Sequence, residues 1–399
     1  MMAQVKRRRI LIRGFSFLLL LFLISQLVWM VIAEPTTVFR IYKYGDTNID
    51  DYSHYPGRSL ISSKSPYKFS YTNEEIEIPP ETMAKFGLSH DLESILEKND
   101  TIAFLVVHDD KIQLERYYQG HSASSISQLF SVTKSFTSAL IGLAVDDGLI
   151  ESTNQSIVEI IPELKSAGFN NVTIHHLLTM MSGSSYQEND NPFGEHVILN
   201  YTPKLEKRIL KFDMETEPGT VFRYKSGDNA LLGLILARVL APETITEYTQ
   251  RRLWTPLGME DGGMWTIDHE INGLEKTWCC LAVSARDLAK FGRLYLNKGV
   301  WGEEQILASN WIVLSNQPGY VPVEVWPNEY QSIGWSNYGF QWWLASEEDG
   351  DYFALGKDGQ FLYLNPKTDT IIVRLGWSTG DLFASQWLSL FQDIARLNK

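Results

Sequence analysis

The first strong feature of the chain is a long, mostly apolar run without a charged residue. It extends from Gly14 to Ala33 and contains FLLLLFLI and VWMVIA. A run of about 20 apolar residues is long enough to cross a bilayer as a helix. After it, residues 34 to about 95 are rich in Tyr, Ser, Pro and Asp and carry little periodicity, which predicts an irregular lead-in. From Thr101 the pattern sharpens. IAFLVVHD and KIQLERYY read as two strands joined by a turn at Asp109-Asp110. Ser131 to Asp146 follows with Phe136, Leu140 and Leu143 at helical spacing, and Gly148 as the stop.

The middle of the chain, to about residue 300, reads as helical. Asp228 is the expected cap of a helix from Ala230 to Leu240 that Pro242 ends. Ser284 and Asp287 resemble a capping box for a helix through Leu296. Strands return at Asp351–Leu355, Gln360–Leu364 and Ile371–Leu375, and an amphipathic helix closes the chain at Leu382–Leu397. Strands at both ends with helices between them predict an α+β fold. An antiparallel sheet built from both chain ends is flanked by helices and carries an inserted helical lobe at roughly 150–280. The expected organisation is a segment 1–33, a lead-in 34–95 and one domain over 96–398.

Charge sharpens this reading at two points. Lys6, Arg7, Arg8, Arg9 and Arg13 precede the apolar run, and the first 33 residues contain no Asp or Glu. A basic flank keeps the N-terminus cytoplasmic, so 1–33 is expected to be a membrane anchor, with everything from Glu34 outside the cytoplasm. A cleaved signal peptide is the rival, with Val31 and Ala33 before the cut, and gives a secreted domain. The net charge of −13 repels phosphate backbones and argues against a nucleic-acid partner. Cys279 and Cys280 are adjacent, where a mutual bridge is strained, and are expected to be two small buried apolar residues.

The candidate chemistry begins with S-x-x-K. Ser and Lys three apart on a helix share a face, and a lysine neutralised by burial can take the serine proton. A serine at the helix start also points its backbone N–H outward, toward a developing oxyanion. The pattern occurs as Ser65-Pro66-Tyr67-Lys68 and Ser131-Val132-Thr133-Lys134. Proline and the lack of periodicity count against the first; the second opens an apolar helix. A tyrosine beside such an ammonium can exchange a proton with the leaving group. Y-x-[SN] occurs at Tyr71, Tyr224, Tyr295, Tyr330 and Tyr363, and Tyr224-Lys225-Ser226 is the best placed. Gly356-Lys357-Asp358-Gly359-Gln360 lies between two strands, where glycines let a substrate carbonyl approach the backbone.

Taken in order, LFSVTKSFTSALIGLAVDDGLI, VTIHHLLTMMSG, PGTVFRYKSGDNALLG, LWTPLGME, SARDLAKFGRLYLNKGVW and GKDGQFLYLNP resemble the serine β-lactamase and penicillin-binding superfamily over about residues 95 to 395. The likeness is nearest to class C β-lactamases, esterases and 6-aminohexanoate-dimer hydrolases. The resemblance implies Ser131 as nucleophile, Lys134 as its activator and Tyr224 as acid/base. Ser226 stands where class C enzymes carry Asn. The third motif has two registers. Either Lys357-Asp358-Gly359 stands for K-T-G, or Gly356 takes the glycine place and Ala354 replaces the lysine. The second resembles the hydrolase branch and implies backbone N–H groups of Ser131 and Lys357 as the oxyanion hole. Tyr186, Gly356, Gly359 and Gln360 are then expected at the substrate.

Adjacent His175 and His176 do not converge on a metal and are expected to brace a helix start. No metal or organic cofactor is implied. Trp335, Trp342, Trp343 and Trp377 fit either an aromatic cleft or the core. Three readings remain: an exported hydrolase of a small ester, linear amide or short peptide; a D-Ala-D-Ala peptidase or β-lactamase; and a catalytically inactive binding relative.

Overall fold

The computed structural model describes all residues except 1, 74, 85–90, 190, 192–193, 319, 322–334, 347 and 399, and omits the side chains of 2–7, 9–10 and 26–32 as well. Tyr330 lies outside the described residues.

The apolar runs of the two chain ends meet in one sheet. Its strand order is Asn337–Tyr338, Trp343–Leu344, Tyr352–Gly356, Gln360–Asn365, Thr370–Gly376, Thr101–His108, Lys111–Tyr117 and Ser70–Tyr71. Neighbours pair antiparallel except the edge strand Ser70–Tyr71, which runs parallel to Lys111–Tyr117. The turn at Asp109-Asp110 is where the sequence puts it, with both residues at positive φ. Thr101 to Val107 is buried at every position because both sheet faces are covered. Leu105 and Val107 join the core that includes Leu288 and Phe291 of the helix Ala285–Leu296. Phe104 and Val106 join Trp387, Phe391 and Ile394 of the closing helix Ala384–Arg396. Period-two alternation therefore divides one strand between two cores.

The helical part carries the second layer of the site. The helix Thr133–Asp146 is buried from Thr133 through Ala144, and Phe136 stacks on Phe291 at 3.8 Å between ring centroids. The helix Ser226–Leu240 lies against it, and its apolar residues Ala230 to Leu236 are buried. The expected cap is corrected here. Asp228 does not open this helix but sits within its first turn, fully buried, accepting from Ser182 Oγ at 2.6 Å and Ser184 Oγ at 3.2 Å. It pins a distant loop instead of its own backbone. Ser284 does cap the next helix, its Oγ accepting from Asp287 N–H at 3.3 Å. His176 closes a capping box with Thr173, a brace at a helix start.

The segment expected to be an irregular lead-in contains ordered elements. Its helix Pro35–Tyr44 lies on the helix Glu195–Tyr201. Gly57–Leu60 is the edge of a second sheet, ordered Gly57–Leu60, Gly263–Thr266, Leu281–Ser284, Ile126–Gln128. Aperiodic sequence is compatible with order here because the segment is held from outside. Arg40 donates to the Asp268 carbonyl at 2.8 Å, and Tyr201 donates to the Gly45 carbonyl.

Residues 2–33 form one helix whose apolar side chains from Leu11 to Ile24 are exposed. Among the described residues no single helix is long and apolar enough to cross a membrane, and the apolar part described for this helix is Leu11–Ser25.

Candidate active site

Ser131 sits in a short helical turn, Phe130–Val132, that runs into Thr133–Asp146. The preceding Phe130 has a φ of +46°, a conformation costly for a bulky residue and held here by its burial. One turn on, Lys134 Nζ donates to Ser131 Oγ at 2.8 Å and to the Trp278 carbonyl at 2.9 Å. Lys134 is 1% exposed. Burial, offset in part by the negative field of Glu188, brings its ammonium down to about 8. Among the described residues no carboxylate forms an ion pair with it. The competing motif fails on geometry: Lys68 is exposed on a segment without helix.

Tyr224 joins this pair. Lys134 Nζ lies 4.9 Å from its ring centroid, and Trp343 stacks beneath it at 5.2 Å. The aromatic residues resolve as support. Trp335, Trp342 and Trp343 are buried, and Trp343 is the plate that fixes the Tyr224 ring. The other described tyrosines with the same tripeptide are elsewhere: Tyr71 is exposed, and Tyr295 and Tyr363 are core residues.

The third motif reaches the serine through glycine. A Cβ on Gly356 would lie 2.3 Å from the Leu129 carbonyl oxygen, so only glycine lets this strand end touch the backbone beside Ser131. Lys357 follows directly, and with Ser131 it lines a cavity of about 560 Å³. The Lys357 ammonium is turned away to Asp46 Oδ1 at 2.9 Å and Thr47 Oγ1 at 3.0 Å, tying the N-terminal segment to the cavity rim.

Three of the residues expected at the substrate are buried. Gln360 is fully buried, and its amide donates to the carbonyls of Lys357 at 3.2 Å and Gly376 at 2.7 Å. Gly359 takes a φ of +75° over the buried Arg374, which donates to its carbonyl at 2.8 Å. Both shape the turn from behind. Tyr186 is also fully buried, because Gly227 leaves room for its ring, and its hydroxyl meets His196 Nδ1 at 2.8 Å.

The residue that the sequence reading missed is Glu188, two positions further on. Its carboxylate accepts from Ser226 N–H at 2.6 Å and Ser226 Oγ at 2.7 Å, at the start of a long helix, where negative charge is favoured. The loop is anchored upstream by Lys225 Nζ, 3.0 Å from Ser182 Oγ and 3.6 Å from Asp228. Gly183 is obligatory in it: φ is +77°, and a Cβ would meet the Thr216 carbonyl at 2.2 Å. The only advance signal for Glu188 was its place in a polar loop after Ser182-Gly183.

A hydrogen-bond relay runs along the cavity wall. Trp278 Nε1 donates to Asn200 Oδ1 at 2.7 Å, which leaves Asn200 Nδ2 to donate to His196 Nε2 at 3.1 Å. His196 Nδ1 then carries the proton and faces Tyr186 Oη and Glu188, the latter at 3.4 Å. The wall beside Trp278 also corrects the cysteine expectation. Cys279 and Cys280 are bonded to each other, within a turn closed by Cys280 N–H to the Lys276 carbonyl at 3.2 Å. That turn folds consecutive side chains toward one another, which an extended chain does not. Among the described residues no group of His, Cys, Asp and Glu is arranged to hold a metal ion.

Comparison with known proteins agrees with this geometry. The β-lactamase family model matches residues 92–384. A 6-aminohexanoate-dimer hydrolase of Paenarthrobacter ureafaciens is 27% identical over 304 residues, covering 73% of this chain and 76% of its own length. A lovastatin esterase of Penicillium rubens is 27% identical over 173 residues, 38% of this chain and 43% of its own. The solved structure of a proposed 6-aminohexanoate-dimer hydrolase from Bacillus anthracis superposes with a TM-score of 0.69 at 23% identity, covering 86% and 91% of the two chains. Sequence, fold and relatives agree, and the chain belongs to the β-lactamase family as a serine hydrolase of its β-lactamase and esterase superfamily.

Proposed function

We propose that the protein is a membrane-anchored hydrolase that cleaves a small ester or linear amide through an acyl-enzyme on Ser131. The observation that carries this is the buried Lys134 ammonium, 2.8 Å from Ser131 Oγ and brought down to about 8. In its neutral form Lys134 takes the serine proton as Oγ attacks the acyl carbonyl. Backbone N–H groups of Ser131 and Lys357 stabilise the oxyanion. Tyr224, over which the same ammonium lies, passes a proton to the departing alcohol or amine. Lys134 then passes the serine proton to Tyr224, water gives a proton to the neutral Lys134 as it attacks the acyl carbonyl, the acyl–Oγ bond breaks, and Oγ takes that proton back. One relative is named for hydrolysing 6-aminohexanoate dimer and another is named an esterase, which supports linear amides and esters as the substrate class.

Residues 1–33 anchor the chain, with the catalytic domain outside the cytoplasm. The basic cluster Lys6–Arg9 before the apolar run supports this orientation, and the Cys279–Cys280 bond suits an oxidising compartment.

The test is intact-mass spectrometry of the full chain with short p-nitrophenyl esters, linear amides and penicillin. An acyl adduct and p-nitrophenol release are expected with the esters, and both are absent in Ser131→Ala. Ester turnover that survives this substitution rejects the reading. Rapid labelling by penicillin with slow ester turnover transfers it to the lactam-binding branch.

A further inference from the structure

The cavity contains a second buried lysine that the chemistry above does not use. Lys276 is 2% exposed and lines the same cavity as Ser131. Its Nζ donates to the Asn200 carbonyl at 2.7 Å and lies 4.0 Å from the Tyr55 ring centroid. Those contacts occupy two of its three N–H bonds. Among the described residues no carboxylate makes an ion pair with it. Asp268 is spent on the backbone N–H groups of Leu205 and Leu274, at 2.7 and 2.8 Å. Asp51, on the cavity wall, is itself buried and its carboxyl is pushed up to about 6. Burial, helped by the positive field of Arg40 and opposed by the fields of Asp268 and Asp51, brings the Lys276 ammonium down to about 7. A desolvated cation with no carboxylate in contact, facing a cavity, is stabilised by an anion that enters.

Part of the wall around it comes from outside the family match. Gly45, Asp46, Thr47, Asp51 and Tyr55 precede residue 92, where the family match begins. The segment is held there by Lys357 through Asp46 and Thr47, and by Tyr201 through Gly45. This part of the cavity therefore lies outside the residues that the family match covers.

We propose that Lys276, framed by Tyr55 and Tyr201, is a subsite for a carboxylate carried by the substrate at a distance from the bond that is cleaved. The proposal rests on the hydrolase reading and names its substrate class: carboxylate-bearing esters or linear amides. The cation comes from the turn before Cys279–Cys280 and not from the third sequence motif.

The experiment compares mono-p-nitrophenyl glutarate with p-nitrophenyl valerate on the full chain, in the wild type, Lys276→Met and Lys276→Arg. A charge-assisted hydrogen bond in a dry site raises kcat/KM for the glutarate ester about tenfold over the neutral one. Lys276→Met collapses that ratio toward one, and Lys276→Arg keeps part of it. A lysine that only holds Asn200 lowers both esters together, so a ratio unmoved in Lys276→Met overturns the proposal, as does a wild type without preference. Should the variants fail to fold, glutarate must compete with valerate-ester turnover in the wild type where valeramide does not, and failure to compete overturns it equally. If neither ester is turned over, the hydrolase reading fails. Calorimetric binding of glutarate to the wild type, stronger than that of valeramide, then supports the subsite, and equal binding overturns it.

Discussion

Two helix starts in this molecule carry the same arrangement with opposite chemistry. At one, Lys134 Nζ lies 2.8 Å from Ser131 Oγ; at the other, Lys290 Nζ lies 2.8 Å from Asp287 Oδ1. Both pairs are spaced i, i+3, and both lysines are buried. Lys290 also meets Glu260 at 3.1 Å, so its charge is matched by two carboxylates. Lys134 has a hydroxyl and a carbonyl, and its charge is only desolvated. Burial alone does not decide what a lysine does. The charge of its neighbours decides between a strut and a base.

The sharpest way to break this comparison is to remove each amine in turn. Lys134→Met is expected to lower kcat/KM for esters by about 10³-fold or more while the fold is kept, because no carboxylate is orphaned. Steady-state kinetics beside thermal melts decide this, and a variant that melts early with normal turnover reverses the assignment. Lys290→Met is expected to do the converse. It strands Asp287 and Glu260 and costs about 3–5 kcal/mol of stability, read by denaturant unfolding. Loss of activity at full stability contradicts the strut.

A smaller effect sharpens the comparison through pH. Below about 8, Lys134 holds its proton and cannot accept another, so ester kcat/KM rises with pH and levels off above about 8. The linkage has a definite sign. The unfolded chain keeps the Lys134 proton until about 10.5, so this group adds stability as pH climbs from about 8 toward that value. A flat profile between pH 6 and 9 removes Lys134 as the base. The smallest effect concerns the wall next to it. Reducing Cys279–Cys280 opens a minimal loop, so stability falls by only about 1 kcal/mol. A severalfold loss of kcat/KM is still expected, since the neighbouring Trp278 carbonyl holds Lys134. Melts and kinetics with and without a reductant separate the two.

The strands, the serine helix and the antiparallel sheet were legible because period and capping are local. Leu105 and Phe104 alternate wherever the strand lies, and Ser131 and Lys134 share a face on any helix. Motif proximity does not say which way the side chains of Gln360 and Tyr186 turn. Both point inward to brace the turns that reach the cavity. Glu188 was missed because its partner, Ser226, lies 38 residues away.

The amino-acid order by itself determined the fold class and the pairing of Ser131 with Lys134, since one helical turn joins them. Only the folded chain decided that Cys279 bonds Cys280, that residues between 45 and 55 help wall the cavity, and that Lys276 faces it with no described carboxylate in contact. The reason is physical. Neighbour spacing is written along the chain, whereas desolvation and charge pairing depend on what distant segments bring to the same place.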